Sequence, residues 1–443
     1  MRPPFASAIL VSLLAASTLA ASALAADAPE SITGADPSKE CAARRAALAA
    51  ALPPESLAIV PAVRADPGAL TAPRQNEDYT WLVGSEEPGG ILLVGASPAG
   101  GKPPFELLLL PPRNAASEGW IGPRLYPGEK AQAATGIAAT EDSRKAVELL
   151  GGLLKGAKTV LLPRGGEAGE HAERLFGDLL RERKVETKDL GPFTGCLRLV
   201  KSAEEIARIR RASELSAEGH RRAMRAARAG MPEYAVQAVL EEACREGGCR
   251  RQAYDSIVGS GPNACVLHYS RDRRILEEGE LVLVDAAGEY LGYATDVTRT
   301  WPVGAKFTEE QARAYDAVLA AQEAGIAAAK PGVTFREISE ACARVLKERG
   351  YEKAQRHGPC HWVGLNVHDP NDTREKPAAL RPGVVFTIEP GAYFPEKGFG
   401  IRIEDTFAMR EDGTLDCLSK DAPKERAAIE ALRAAALAAP PPK

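Results

Sequence analysis

The sequence predicts two successive domains, an α/β domain followed by an α+β domain. Three observations carry that reading. The chain has 443 residues, about three times the usual ~150-residue domain, so a single hydrophobic core is too few. From residue 79 to about residue 199, short apolar runs alternate with segments of helical periodicity, the pattern of a sheet flanked by helices. Beyond residue 200 that alternation gives way to long amphipathic helices and grouped strands. The domains are therefore placed at 27–199 and 200–443, behind a separate segment at 1–26.

The first 26 residues read as a secretory signal. Arg2 supplies the positive start, residues 8–19 are small or aliphatic, and Ala23-Leu24-Ala25 is a small-x-small cleavage site. Ser12, Ser17, Thr18 and Ser22 interrupt the apolar stretch, which falls short of the ~20 apolar residues a membrane span needs. No later segment is longer or more apolar, so the mature chain is expected to be exported, periplasmic or secreted, without a membrane span. With 56 basic against 60 acidic residues, the chain lacks the positive excess of a nucleic-acid binder. All eight cysteines lie in the mature part and none forms a C-x-x-C pair, which excludes the usual zinc-finger and redox motifs. An exported chain permits disulfides, but the spacings dictate none, and a bond between Cys244 and Cys249 stays open.

The elements follow in order. Residues 27–73 are rich in Ala and Pro, with one short helical stretch at 42–51. Buried strands are predicted at 91–94, 107–110 and 159–162, and helices at 145–155 and 170–183. Gly95, Gly100 and Gly101 fit neither nucleotide-binding spacing and read as turns. Residues 203–229 form a long amphipathic helix ended by Gly230, and the next helix opens at Pro232. Thr308-Glu309-Glu310-Gln311 and Thr334-Phe335-Arg336-Glu337 are capping boxes that open two further helices. Strands are predicted at 281–287, 290–300, 384–389 and 401–409, and an Ala-rich helix at 425–438 closes the chain.

The chemistry lies in carboxylates placed where an apolar strand should continue. Leu281-Val282-Leu283-Val284 runs into Asp285, the run at 384–388 into Glu389, and Ile401-Arg402-Ile403 into Glu404. Asp296 sits on the expected returning strand of a hairpin that turns near Gly288 and Gly292. The two-residue period of a strand puts Arg402 and Glu404 on one face. One such acid is ordinarily a strand end facing water, but several in one domain are not. Burying an unpaired carboxylate costs several kcal/mol, and repulsion among neighbours adds to it, so these acids need cations.

The segment His357-Gly358-Pro359-Cys360-His361 is the second clue. Gly358 and Pro359 exclude a helix, so the two histidines are not a helical zinc pair. The following residues 362–368 alternate like a strand with histidines near its ends, His368 closing it. With His268, these make four of the six histidines, gathered in two short segments. Two divalent cations would neutralise the acids Asp285, Asp296, Glu389 and Glu404. Oxygen-rich ligation with one imidazole suits Mn²⁺, Co²⁺, Fe²⁺ or Zn²⁺ without selecting among them. Two metals ~3.5–4 Å apart can share a hydroxide and hold a carbonyl for attack, the chemistry of amide or ester hydrolysis.

The order Asp285, Asp296, His361, Glu389, Glu404, in the segments VDAAGEYLGYATDVTRTWPV, HGPCHWVGLNVHD, TIEPGAY and GIRIED, resembles the ligand set of the pita-bread metallopeptidase family. Within that family the segments SIVGSGPNACVLHY, RQNEDYTWLVGSEEPGG and LPPR…GWIGPRL are most similar to the aminopeptidase P group, and the similarity runs from about Arg74 to Phe407. The resemblance implies an α/β creatinase-like N-terminal domain and an α+β pita-bread C-terminal catalytic domain. It implies two divalent ions per chain, manganese first among the candidates, one held by Asp285 and Asp296 and the other by Asp296, His361, Glu389 and Glu404. It implies hydrolysis of the bond before a proline at position two by a hydroxide between the ions, with Glu389 relaying the proton. His268 and His368 would bind substrate and stabilise the oxyanion, and His357, Tyr393 and Arg402 would orient ligands and substrate. The family counterpart of Asp78 enters a neighbouring subunit's site, which implies a homo-oligomer, a dimer or tetramer.

The chain departs from the family pattern at Asn366, commonly Asp, at Ala287, commonly Gly, and in a shorter loop between Glu389 and Glu404. None of these removes a ligand. A prolidase restricted to Xaa-Pro dipeptides shares the five ligands and is the nearest alternative. A non-catalytic peptide-binding module and a metal-free creatinase-type enzyme are disfavoured, because such relatives lose ligands.

Overall fold

A computed structural model describes residues 31–64, 74–96, 104–370 and 378–439. The predicted signal at 1–26 and the turn glycines Gly100 and Gly101 lie outside the described residues.

The N-terminal unit contains α1 (Pro37–Ala51), β1 (Ser56–Pro61), α2 (Glu77–Val83), β2 (Ile91–Gly95), β3 (Glu106–Leu110), α3 (Ala115–Ile121) and α4 (Glu129–Thr135). It continues through β4 (Thr140–Asp142), α5 (Ala146–Leu153), β5 (Thr159–Leu162), α6 (Gly166–Arg183), β6 (Glu186–Asp189) and α7 (Gly191–Arg198). Its sheet has the order β4-β3-β2-β1-β5-β6 and is mixed, with β2 antiparallel to both β1 and β3 and the other pairs parallel. The central strand β1 falls in the stretch where only a short helix is expected. All six of its residues are buried, so it shows no alternation for a sequence pattern to reveal. The helix expected at 145–155 is shorter. Asp142 first caps a 3₁₀ turn at Ser143–Lys145, and α5 then runs only to Leu153.

The C-terminal unit opens with α8 (Ala203–Ala226) and α9 (Glu233–Glu246), followed by β7 (Arg251–Gln252), β8 (Ile257–Ser260), β9 (Leu281–Asp285), β10 (Gly288–Glu289) and β11 (Thr298–Pro302). Then come α10 (Glu309–Ala328), α11 (Phe335–Glu348), β12 (Val385–Ile388), β13 (Gly391–Phe394), β14 (Phe399–Arg402), β15 (Asp405–Met409), β16 (Leu415–Cys417) and α12 (Arg426–Ala438). Capping boxes open α8 (Ser202 with Glu205), α10 (Thr308 with Gln311) and α11 (Thr334 with Glu337), each satisfying amide donors that a helix start leaves unpaired. The helices cover the strands through one apolar core, which includes Leu240 of α9, Val284 of β9, Trp301 of β11, Val318 of α10, Phe386 of β12 and Ile401 of β14. Among the described residues no helix is long and apolar enough to cross a membrane.

Several expected strands are cut short, and the cuts matter for the site. The returning strand expected at 290–300 exists only from Thr298, so Asp296 precedes it. The expected hairpin is also interrupted, because β10 leaves to pair with β7. The strand expected at 401–409 is two strands in different sheets. β14 pairs with β13 and β15 with β12, and the chain switches at Ile403 and Glu404. Arg402 and Glu404 therefore share no continuous strand face. The strand expected at 362–368 is a series of bends, with Trp362 bridging Phe386. Finally α8 stops at Ala226, and Pro232 is the N-cap of α9 rather than its first helical residue.

Candidate metal centre

Asp285 ends β9, and its register partner on β11 is Thr298. Asp296, in the irregular stretch before β11, comes back beside Asp285. The hydroxyl of Tyr254 lies 2.6 Å from Asp285 Oδ1 and 2.5 Å from Asp296 Oδ1, joining the two carboxylates. The switch between β14 and β15 delivers Glu404 to the same place. Its N–H bonds the Thr298 carbonyl at 3.1 Å, and the Thr298 hydroxyl donates to Glu404 Oε2 at 2.6 Å. Glu389 follows directly on β12, and its N–H bonds the Pro359 carbonyl at 2.8 Å.

His361 is seated against β12 by its own N–H, which donates to Thr387 Oγ1 at 3.1 Å. Its Nδ1 lies 3.1 Å from the Trp362 carbonyl oxygen, an acceptor for a proton on that nitrogen, and this turns Nε2 toward the acids. That Nε2 stands 3.3 Å from Asp296 Oδ2, 3.4 Å from Glu389 Oε1 and 3.8 Å from Glu404 Oε1. Donor atoms of Asp296, His361 and Glu404 all lie within 4.8 Å of one another, and Tyr254 ties Asp285 to the group. The five side chains singled out in the sequence thus converge.

They converge in a place poor in positive charge. Glu404 is 1% exposed, Asp296 6% and Asp285 8%. Among the described residues one buried cation, Arg402, touches them. Its guanidinium bonds Asp285 Oδ2, accompanied by bonds to the Tyr393 oxygen at 2.9 Å and to Thr298 Oγ1 at 3.2 Å. Burial raises the Asp285 carboxyl, yet Arg402 and the Tyr254 hydroxyl together hold it below its ordinary range. The others go the opposite way. Burial and the adjacent Glu404 push Glu389 up to about 8. Burial, then Asp285 and Glu389, push Asp296 well above its ordinary value, and burial, then Asp296 and Asp285, do the same to Glu404. Glu404 Oε1 is moreover fully buried without a hydrogen-bond donor. Uncompensated carboxylates around an orphaned acceptor, with an imidazole nitrogen pointing in, fit divalent cations in an oxygen-rich site.

The remaining predicted residues form one wall and the rim. Arg402 donates to Tyr393, whose hydroxyl lies 2.8 Å from His357 Nε2. Burial and the Arg402 charge push His357 down to about 4, so it is neutral near pH 7, and its Nδ1 lies 3.8 Å from Glu389 Oε2. The His368 ring meets the His361 ring edge-on at 4.2 Å, and partial burial with His361 lowers it to about 4. His268 is exposed on the same side of the site as His357 and His368.

Two further positions singled out in the sequence meet the histidine loop and the N-terminal unit. Within its own chain Asp78 is buried and paired. Arg198 Nη1 donates to it at 2.6 Å and Thr194 Oγ1 at 2.8 Å, while Arg198 also pairs with Asp369 on the histidine loop. Asn366 donates through Nδ2 to Glu77 Oε1 of α2 at 3.0 Å, tying that loop to the N-terminal unit. A carboxylate at 366 would repel Glu77, so the amide departure has a physical reason.

Tyr254, Thr298 and Gln322 were not marked by the sequence. Gln322 of α10 donates to the Ile388 carbonyl at 3.0 Å and the Ile403 carbonyl at 3.3 Å, holding together the residues that precede Glu389 and Glu404. Its position in an Ala-rich, buried helix face is the one signal that could have drawn notice.

Residues 207–411 match the model of metallopeptidase family M24, and residues 41–162 match that of the aminopeptidase P N-terminal domain. The Xaa-Pro aminopeptidase of Escherichia coli (strain K12) is 33% identical over 436 residues, covering 89% of this chain and 97% of that protein. The solved structure of Pseudomonas aeruginosa aminopeptidase PepP superposes with a TM-score of 0.83 at 32% identity, covering 91% of this chain and 99% of that one. Zinc-substituted E. coli aminopeptidase P in complex with product gives a TM-score of 0.81 at 32% identity, covering 90% and 98%.

Proposed function

The chain belongs to metallopeptidase family M24, and from that premise we propose that it is a metal-dependent Xaa-Pro aminopeptidase, releasing the first residue of peptides with proline second. The observation that carries this is the convergence of Asp285, Asp296, His361, Glu389 and Glu404 around a buried oxygen with no donor, within a two-domain chain that parallels the aminopeptidase along nearly its whole length.

Two divalent ions held by these side chains would supply a water nucleophile of lowered pKa and polarise the scissile carbonyl. Manganese is proposed first, since the donors are mostly oxygen with a single imidazole. Glu389, at the edge of the cluster and 14% exposed, is placed to take the proton from attacking water and pass it toward the leaving amine. Arg402 fixes Asp285 in its ionised form and, through Tyr393, fixes the orientation of His357. His268 and His368 stand at the open side, where a substrate carbonyl and its developing negative charge would meet N–H donors. A proline substrate has no amide hydrogen after the scissile bond and a fixed φ, so it must be recognised by shape and by its carbonyls.

Export of the mature chain belongs to the proposal and rests on the character of residues 1–26. So does assembly into a homo-oligomer. The support for assembly is Trp120 of α3, 91% exposed beside the half-exposed Ile121, an apolar pair suited to another copy of the chain. The test of function is a peptide panel after chelation and return of Mn²⁺. Release of the first residue from Xaa-Pro-Yaa peptides is expected. Cleavage confined to Xaa-Pro dipeptides would make the enzyme a prolidase instead.

A further inference from the structure

α9 ends in a Gly-Gly turn whose hydrogen bonds are those of a Schellman motif. Gly248, at φ +101°, takes the left-handed position. Its N–H bonds the Arg245 carbonyl at 3.1 Å, and the Cys249 N–H reaches back to the Cys244 carbonyl at 3.0 Å. This motif brings together the side chains at its two ends, a contact ordinarily made by a pair of apolar groups. Here both are cysteine. Both thiols are free, and they are 0% and 2% exposed. Gly288 of β10 roofs them so closely that a Cβ there would stand 2.4 Å from Cys249 Sγ and 3.3 Å from Cys244 Cβ.

We propose that Cys244 and Cys249 are a disulfide site, a covalent staple between the end of α9 and the start of β7. The oxidant is a disulfide compound, small or protein-borne. Because both thiols are buried, the exchange runs through local opening of the contact between the end of α9 and β10: the Cys244 thiolate attacks one of the oxidant's sulfurs and releases the other as a thiol. Cys249 then attacks the mixed disulfide, releases the second thiol and closes the Sγ–Sγ bond. The cysteines lose two electrons and two protons, and the oxidant gains them. The staple would be felt at the metal centre. β7 pairs with β10, the Ala253 N–H bonds the Ala287 carbonyl at 2.8 Å, and the next residue is Tyr254, which joins Asp285 to Asp296.

Trypsin cuts at Arg245 and so separates the two cysteines into peptides 229–245 and 246–250. Purified protein is equilibrated with oxidised or reduced glutathione, alkylated under denaturing conditions, and mapped by mass. After oxidation the two peptides are expected to travel as one species, two hydrogens lighter than their sum, and to part on reduction. The oxidised protein is expected to melt about 2–5 °C higher, an increment that Cys249→Ser removes while leaving peptidase activity in place. Separate alkylation of both cysteines after oxidation, or linkage of either to another cysteine, overturns the proposal. The wild-type map decides this whether or not the variant folds.

Discussion

Glu404 and Asp405 are consecutive, and both are buried, at 1% and 0% exposed, yet the fold treats them in opposite ways. Asp405 is surrounded by donors. Arg299 reaches it at 2.6 Å, Lys424 and Ser419 at 2.7 Å, and Gln322 at 3.2 Å, and despite burial these cations hold its carboxyl below the ordinary range. Glu404 receives one hydroxyl, from Thr298, and otherwise faces Asp296, Asp285 and the His361 ring, so burial and the acids' repulsion drive it upward. The chain is thus able to neutralise a buried acid with its own side chains, and one residue earlier it withholds them. The negative charge left over at Glu404, Asp296 and Glu389 is what a divalent cation would satisfy.

The largest expected effect sharpens that contrast on the catalytic side. Glu404→Gln and His361→Ala should each lower kcat/KM by about 10³-fold or more, equivalent to about 4 kcal/mol of transition-state stabilisation. The metal-free Glu404→Gln protein should melt no lower than the parent, since the change removes a repelled charge. The mirror experiment is Arg299→Ala, which leaves Asp405 short of its main partner and should cost about 3–5 kcal/mol of stability in urea unfolding. If Glu404→Gln proves as destabilising as Arg299→Ala, the distinction between the two acids fails.

The pH dependence follows from Glu389, whose folded value of about 8 lies above the 4.5 of an unperturbed glutamate. Its raised value favours the protonated form on folding, so this contribution is complete below about pH 4.5 and is lost as pH rises through 8. Metal-bound carboxylates stay ionised, so the increase in Tm on adding Mn²⁺ should grow between pH 5 and pH 8. A calorimetric increment that is flat with pH would contradict the assignment of uncompensated charge to this cluster. Smaller still, Tyr254→Phe should weaken metal binding by about 10- to 100-fold, because the hydroxyl that aligns Asp285 with Asp296 is lost. Gln322→Ala should cost about 1–3 kcal/mol of stability, leaving buried carbonyls at Ile388 and Ile403 without their donor.

Much of this site was legible in the sequence because an acid that ends an apolar run is physically anomalous. Asp285, Glu389 and Glu404 stood out for that reason, and His361 because Pro359 and Gly358 forbade the helical alternative. The path of the chain between them was not legible. From Ile401 to Met409 the apolar positions Ile401, Ile403, Phe407 and Met409 keep one phase with Asp405 as its single interruption, although the residues before Glu404 pair with β13 and those after it with β12. Periodicity reports which way a side chain faces, not which strand lies beside it. β1 was hidden for the converse reason, since a strand buried on both faces has no polar side to show. Tyr254 and Thr298 are ordinary residues of a β-rich stretch, and their roles exist only through neighbours brought from 31 and 106 positions away.

Metal uptake by the chelated protein tests the central claim most directly. Titrated with Mn²⁺ and assayed for bound metal, the wild-type chain should take up two ions with release of protons, and Glu404→Gln should bind less. Fewer than one ion per chain at saturation, or uptake unchanged by Glu404→Gln, would show that the buried acids are not a metal centre.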